Sequence, residues 1–253
     1  MSLYGFCHLS VIPVRETPSD LSQMTTQLMF GDVFEIIETQ KNWLQIKNAF
    51  DEYIGWIDQK QQLFVEKDIF KRFSSIAFTN TQTGNLLVNN EIVPVLPGSN
   101  FPIDETFTVN HLQITPKLPL KLFTKSNKIE LREYALSYLN APYLWGGKSP
   151  FGIDCSGFTQ SVFKMAGIVL KRDAWQQARQ GETINFLAEA QMGDLAFFDN
   201  EEERIVHVGI LLNATTIIHA SGKVRIDAID HQGIYNAESK SYSHQLRIIK
   251  RLF

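Results

Sequence analysis

The sequence is short of cysteine: Cys7 and Cys155 are the only two in 253 residues. So sparse a set gives no disulfide framework and fits a cytoplasmic address. No CxxC or HExxH spacing occurs, so no metal site of these types is expected. Charge of one sign is also lacking. Lys and Arg number 24 against 27 Asp and Glu, a net charge of −3, which offers no electrostatic case for nucleic acid or an anionic membrane as partner. No apolar run reaches the 18 residues of a spanning helix. The first eight residues lack the basic and apolar regions of a signal peptide, although a chain that had lost its leader reads the same. No segment is low in complexity. Hydrophobic residues are 44% and charged residues 20%, ordinary for a globular chain. The length allows two or three domains, and a monomer is expected.

Residues 143–157 stand out against that plain background. Gly146, Gly147, Pro150 and Gly152 lie among three aromatics, the composition of a shaped loop. A helical pattern starts at Asp154-Cys155-Ser156: Phe158, Val162, Met165 and Ala166 recur at spacings of three and four, and Gly167 stands at the C-terminal cap position. Asp154 suits an N-cap. Cys155 then sits in the first turn, where unpaired N–H groups and the dipole favour a thiolate. The competing reading is a small buried hydrophobe.

A thiolate nucleophile needs a histidine base, and the base needs an orienting group. Val206 to Leu212 reads as a strand carrying His207, and Thr216 to Ala220 as a second strand carrying His219. Twelve residues separate the two histidines. A hairpin centred on Asn213 makes them direct cross-strand neighbours, with Cβ atoms about 4.5–5.5 Å apart. One imidazole then faces Cys155 and the other holds it in one tautomer. A lone histidine is otherwise a core or edge residue.

Residues 130–253 resemble the NlpC/P60 superfamily of papain-like cysteine peptidases. The matching residues are Tyr143-x-Trp145-Gly146-Gly147, Asp154-Cys155-Ser156-Gly157, Gly193-Asp194-Leu195, His207-Val208-Gly209-Ile210 and His219-Ala220-Ser221. A helix from Ser126 or Asn127, the Cys155 helix, a polar, Gln-rich stretch begun by Lys171-Arg172-Asp173 and about five strands from Leu195 onward give an α+β pattern. Towards the N-terminus, short strands around Gly31-Asp32, Val33 to Glu38, Trp43 to Lys47 and Tyr53-Ile54-Gly55-Trp56 resemble a bacterial SH3-like (SH3b) barrel. The expected architecture is a papain-like catalytic domain preceded by one or two small all-β SH3b barrels. Residues 1–62 form the first barrel. Residues 63–125 form a second, divergent one with a linker from Pro116 to Lys128. Residues 126–253 form the catalytic domain. In the middle segment Phe64, Ile69, Phe70, Phe73, Ile76 and Phe78 supply core, and Asn89-Asn90 marks a hairpin turn.

The resemblance implies hydrolysis of peptides derived from peptidoglycan, without a cofactor. Cys155 attacks, His207 holds an ion pair with it and protonates the leaving amine, and His219 orients His207. Tyr143 is the second oxyanion donor beside the Cys155 N–H. The implied substrate is a murein peptide, L-Ala-γ-D-Glu-diamino acid, cut between D-Glu and the diamino acid in cell-wall recycling. Tyr53 and Glu52 of the SH3b segment, with Asp154, Ser156 and Asp173, are the candidate substrate contacts, Asp154 serving as counter-charge to a free L-Ala amine. A secreted wall lysin and a non-catalytic wall-binding protein remain the alternatives.

Overall fold

The protein is described from a computed structural model covering residues 3–75, 78–79, 82–102 and 106–252. Contacts divide it into two compact units, Met1–Thr124 and Lys125–Phe253. Among the described residues, no helix is long and apolar enough to cross a membrane.

In the N-terminal unit seven strands make an antiparallel sheet, in the order Met24–Met29, Val11–Arg15, Ile54–Asp58, Trp43–Asn48, Val33–Gln40, Leu3–Phe6 and Leu63–Val65. The strand Trp43–Asn48 shows why it is a strand. Leu44 and Ile46 are buried, while Trp43, Gln45 and Lys47 between them are only partly so, the two-residue period of a sheet with one apolar face. Leu44 and Ile46 pack with Cys7, Ile12, Val14, Leu28, Phe34 and Ile57. The Gly31-Asp32 turn follows from its residues: Gly31 takes a φ of +84°, and the Asp32 carboxylate accepts from the Met29 N–H at 2.8 Å.

Beyond residue 65 lie a helix, Lys67–Ser74, a four-stranded sheet and a three-stranded one. They share a core with the first sheet. Phe6, Phe30 and Val33 belong to the same apolar cluster as Phe73, Leu86, Phe101 and Phe107, and Asn100 donates to Asp32 at 2.6 Å. The hairpin Gly84–Val88 with Glu91–Val95 turns at Asn89 and Asn90, both at positive φ. Of the expected core residues Phe73 is buried, Ile69 and Phe70 are partly so, and Phe64 is 43% exposed; Ile76 and the side chain of Phe78 lie outside the described residues. The stretch expected as a linker is not bare: Lys121–Leu122 inside it pairs with Phe78–Thr79.

The C-terminal unit begins with helix α1, Lys128–Ser137, whose cap is Asn127. Its side chain accepts from the N–H groups of Ile129 and Glu130, and Glu130 reaches back in a capping box. Helix α2, Cys155–Met165, is buried along its whole length, and the short helix α3, Ala174–Gln177, follows. The strands are β1 Glu182–Ile184, β2 Leu195–Asp199, β3 Ile205–Asn213, β4 Thr216–Ser221, β5 Lys223–Ile229, β6 Gly233–Asn236 and β7 Ser241–Arg251. Neighbours run β1-β7-β2-β3-β4-β5-β6, and β6 also pairs with β7, so six strands close a barrel with β1 at its flank. One face of its wall carries Leu195, Phe197, Val208, Ile210, Ile218 and Ala220 against α2. The alternate residues, Ala196, Phe198, Leu211 and Ile217, cluster separately, as strand pleating requires. Asp194 of the Gly-Asp-Leu motif is buried and pairs with Arg251 at 2.7 Å, fastening the ends of β2 and β7.

Candidate active site

The nucleophile candidate is placed by close packing of glycines. A Cβ on Gly157 would lie 2.3 Å from the Gly147 carbonyl oxygen, and one on Gly147 would lie 2.3 Å from that of Gly152. Only bare backbone lets the 143–153 loop lie against the start of α2. Asp154 then caps the helix through Gly157 N–H at 2.6 Å and accepts Gly146 N–H at 2.8 Å. Its carboxylate is also gripped by Arg172, at 3.0 Å to Oδ1 and 2.6 Å to Oδ2, while the same guanidinium donates to Ser156 Oγ at 2.8 Å. Asp154 as counter-charge for a substrate amine is therefore already matched by a buried cation, and Ser156 is a partner of that cation. The Gln-rich stretch proves to be a clamp. Gln177, fully buried, accepts from Thr159 and donates to the Ser156 and Lys171 carbonyls.

Cys155 is the first residue of α2 and 7% exposed. The backbone N–H groups of Val208 and Ser156 hydrogen-bond its sulfur, which sets the thiol against the strand of His207. Its surroundings weigh against the expected thiolate. Burial, then the Asp154 carboxylate, push the thiol up to about 12, against the weaker pull of Val208, Arg172 and Ser156. The His207 imidazole moves the opposite way. Burial, then His244 and His219, hold it well below the usual histidine range. Both shifts favour the uncharged forms of thiol and imidazole. Tyr143 is coupled to the same centre: burial, Cys155 and Asp154 push its hydroxyl up to about 12, so it remains a hydrogen-bond donor.

His207 and His219 meet, but not as direct cross-strand neighbours. His219 pairs with Gly209, because Asn213 pairs with Thr216 and the chain turns at 214–215 instead of at Asn213; a bulge between Leu211 and Asn213 recovers one residue of that shift. His207 is thus diagonal to His219. Gly209 makes the diagonal contact feasible, because a Cβ there would lie 2.8 Å from His219 Cβ. A second bulge beside Val206 precedes His207. The outcome is a hydrogen bond of 2.9 Å between His207 Nε2 and His219 Nδ1.

The relay runs further than the motif residues. His219 Nε2 lies 2.9 Å from Asp227 Oδ2. Arg225 contacts the same carboxylate, with Nε 2.7 Å from Oδ2 and Nη2 donating to Oδ1 at 3.0 Å. Burial alone would raise Asp227, but hydrogen bonds from His219 and Arg225 hold it below the usual carboxylate range. His244 of β7 stacks on His207 with centroids 4.0 Å apart, and burial, then His219, lower it to about 4 against the pull of Asp227. Sequence reasoning missed Asp227, Arg225, His244 and Arg172. One signal was present: Arg225 and Asp227 alternate in a strand that follows the His219 strand across Gly222.

Among the described residues, His207, His219 and His244 offer nitrogens within 4.8 Å of one another, the spacing a metal ion requires. Two of those rings are hydrogen-bonded to each other. Both nitrogens of His219 are already engaged, Nδ1 by His207 and Nε2 by Asp227, a poor fit to metal ligation. A cleft of about 590 Å³, lined in part by Trp175, Arg179, Val206 and Arg247, opens beside the bulge before His207. Tyr53 and Glu52 belong to the N-terminal unit. There Tyr53 N–H donates to Asp51 at 3.1 Å, and Glu52, at φ +63°, pairs with Lys47 at 3.1 Å.

Residues 140–242 match the NlpC/P60 family, and residues 14–61 match the bacterial dipeptidyl-peptidase SH3 domain. Among similar proteins is a γ-D-glutamyl-L-lysine dipeptidyl-peptidase of Bacillus subtilis, 29% identical over 77% of this chain and 71% of its own. Another is dipeptidyl-peptidase 6 of Lysinibacillus sphaericus, 28% identical over 83% of this chain and 86% of its own. An NlpC/P60 family protein from Bacillus cereus superposes with a TM-score of 0.83 at 18% identity, covering 98% of this chain and 99% of that one, which shows a shared fold.

Proposed function

With an NlpC/P60 cysteine-peptidase domain at residues 140–242 and a bacterial SH3 domain at residues 14–61, we propose that this chain hydrolyses the γ-D-glutamyl–diamino acid bond of murein peptides with a free N-terminal L-Ala. The observation that carries the reading is a buried thiol at a helix start, set against a strand whose histidine begins a hydrogen-bonded relay. The relatives named for γ-D-glutamyl-L-lysine cleavage support the bond type.

In this reading Cys155 and His207 start uncharged, the forms their surroundings favour. As Cys155 Sγ attacks the amide carbonyl carbon, its proton passes to His207, so thiolate formation and attack are coupled instead of sequential. The oxyanion forms near the first-turn N–H of Cys155 and the Tyr143 hydroxyl. His207 then gives its proton to the departing amine, leaving a thioester. Water attacks the thioester, His207 takes the water's proton, and the thiol is regenerated.

Asp154, Ser156 and Asp173 hold the amino end of the peptide in this reading. Arg172 already neutralises Asp154, and Asp173 stands at the N-cap of α3. Tyr53 and Glu52 are proposed as further substrate contacts. A monomer acting in cell-wall recycling, at a cytoplasmic address, belongs to the same proposal. The test is incubation with L-Ala-γ-D-Glu-L-Lys, its diaminopimelate counterpart, their N-acetylated forms and intact sacculi, with products read by mass. Release of the diamino acid from the free peptides, and much slower cleavage of the acetylated ones, is expected. Equal cleavage of acetylated peptide, or of intact wall, replaces this reading with that of a wall lysin.

A further inference from the structure

The histidine pair does not end at His219, and its continuation decides which nitrogen of His207 is basic. We propose that Asp227, braced by Arg225, is a positioning residue that fixes the tautomers of both histidines so that His207 presents an unprotonated Nδ1 for proton transfer. The inference rests on Cys155 and His207 being nucleophile and base.

The geometry imposes an order on the protons. An ionised carboxylate only accepts hydrogen bonds. Asp227 Oδ2 lies 2.9 Å from His219 Nε2, so His219 carries its proton on Nε2. Neutral His219 then has its lone pair on Nδ1. That atom lies 2.9 Å from His207 Nε2, so His207 must donate from Nε2. The lone pair of neutral His207 is left on Nδ1. Arg225 secures the start of the sequence by contacting both carboxylate oxygens, which keeps Asp227 ionised and unable to turn its donorless face away.

Register explains why these three side chains meet. His219 lies opposite Gly209 and opposite Arg225. His207 is two residues from the first of these positions and Asp227 two from the second, so each step crosses to the next strand along a diagonal on one face. When His207 takes the thiol proton on Nδ1 it becomes an imidazolium, its Nε2 proton still donates to His219, and Asp227 supplies the balancing negative charge. No proton has to move beyond His207. Without the carboxylate, His219 can protonate Nδ1 instead. His207 Nε2 must then accept, its proton moves to Nδ1, and the base is lost.

The test begins with the full-length wild-type chain. Ring ¹⁵N NMR should show the Nε2–H tautomer at both His207 and His219, with no substrate needed; an Nδ1–H at neutral His207 overturns the proposal. Asp227→Ala should lower kcat by about 10²-fold with little change in KM, less than the roughly 10⁴-fold seen where an orienting aspartate touches the base directly. Iodoacetamide should alkylate Cys155 more slowly in this variant at neutral pH, and added formate should restore part of the rate, which a purely structural role would not allow. Wild-type alkylation and cleavage by Asp227→Ala sink the idea. If Asp227→Ala does not fold, the wild-type tautomers decide alone. A wild-type chain that cuts no murein peptide defeats the substrate reading instead, and alkylation unaffected by His207→Ala defeats the nucleophile–base pairing.

Discussion

Two aspartate–arginine pairs flank the reacting groups, and they are built for different tasks. Asp154 and Arg172 sit at the start of α2 with side chains 8% and 1% exposed; Asp227 and Arg225 sit in β5 at 6% and 18%. Asp154 is bonded to a guanidinium, one loop N–H, one N–H of the first turn of α2 and a serine hydroxyl, none of which titrates near neutrality. It is a brace, and its charge raises the nucleophile's proton affinity. Asp227 directs one oxygen to a histidine and so acts on the protonation of the base. The same ion pair is an anchor in one place and a tautomer setting in the other, depending on whether a titratable ring is among its partners.

The comparison breaks most visibly at Arg172. Arg172→Met strands a buried carboxylate, and removing one partner of a buried pair costs about 3–5 kcal/mol. Arg225→Met leaves a carboxylate that is as buried but keeps its histidine bond, and the lost guanidinium was itself 18% exposed, so the loss should be nearer the roughly 1.5–3 kcal/mol of a charged hydrogen bond. Urea denaturation of both variants checks this. Equal losses would show that the two pairs are energetically alike.

Tyr143→Phe tests the helix side without touching either pair. Removing one oxyanion donor costs about 10²–10³ in kcat, and the urea midpoint should stay near that of the wild type. An unchanged kcat would leave Tyr143 as a packing residue of the loop. On the barrel side, Gly209→Ala forces a methyl to within 2.8 Å of His219 Cβ and 2.7 Å of Ile217 Cδ1. Overpacking of this kind costs about 1–3 kcal/mol. It should slow alkylation of Cys155 by moving the relay, while the Asp154–Arg172 brace persists. An alanine variant with wild-type stability and activity would remove the steric reason for that glycine.

How legible the site was follows from sequence separation. The Cys155 helix announced itself through local signals: a cap residue, apolar spacing and Gly167, which takes φ +75° as a C-terminal stop should. His207 and His219 were legible through their motif, yet their register was not, because neither the turn at 214–215 nor the bulge between Leu211 and Asn213 leaves a mark in composition. Arg172 reads as part of a polar, surface-like stretch, and only the fold carries it 18 residues back to Asp154. His244 comes from a strand distant in sequence, and nothing local hints at its stack on His207. In the N-terminal unit the turns were visible, but a core shared by Phe6, Phe30 and Phe107 depends on how separate sheets meet, which periodicity does not encode.

The smallest expected effect is also the one that separates the two halves of the site by pH. On the histidine side, His207 and His244 are held below the ordinary value of 6.5. Below about that pH an unfolded chain takes up protons that the folded one refuses, so the unfolded state binds more protons and stability falls as pH drops. The stability these buried neutral rings leave intact is fully present above 6.5. On the helix side the sign reverses. Cys155 is raised from 9.0 to about 12, so above 9 the unfolded chain releases a proton that the folded one keeps, and stability falls as pH rises. Thermal melts should therefore show a plateau between the two ranges, an acid limb set by the barrel side and an alkaline limb set by the helix side. His244→Phe retains a ring against His207 and removes one titrating group, so it should soften the acid limb and leave the alkaline limb alone. Cys155→Ala should do the opposite. If either substitution moves the limb assigned to the other half, the two sides share one electrostatic environment and the distinction between brace and relay fails.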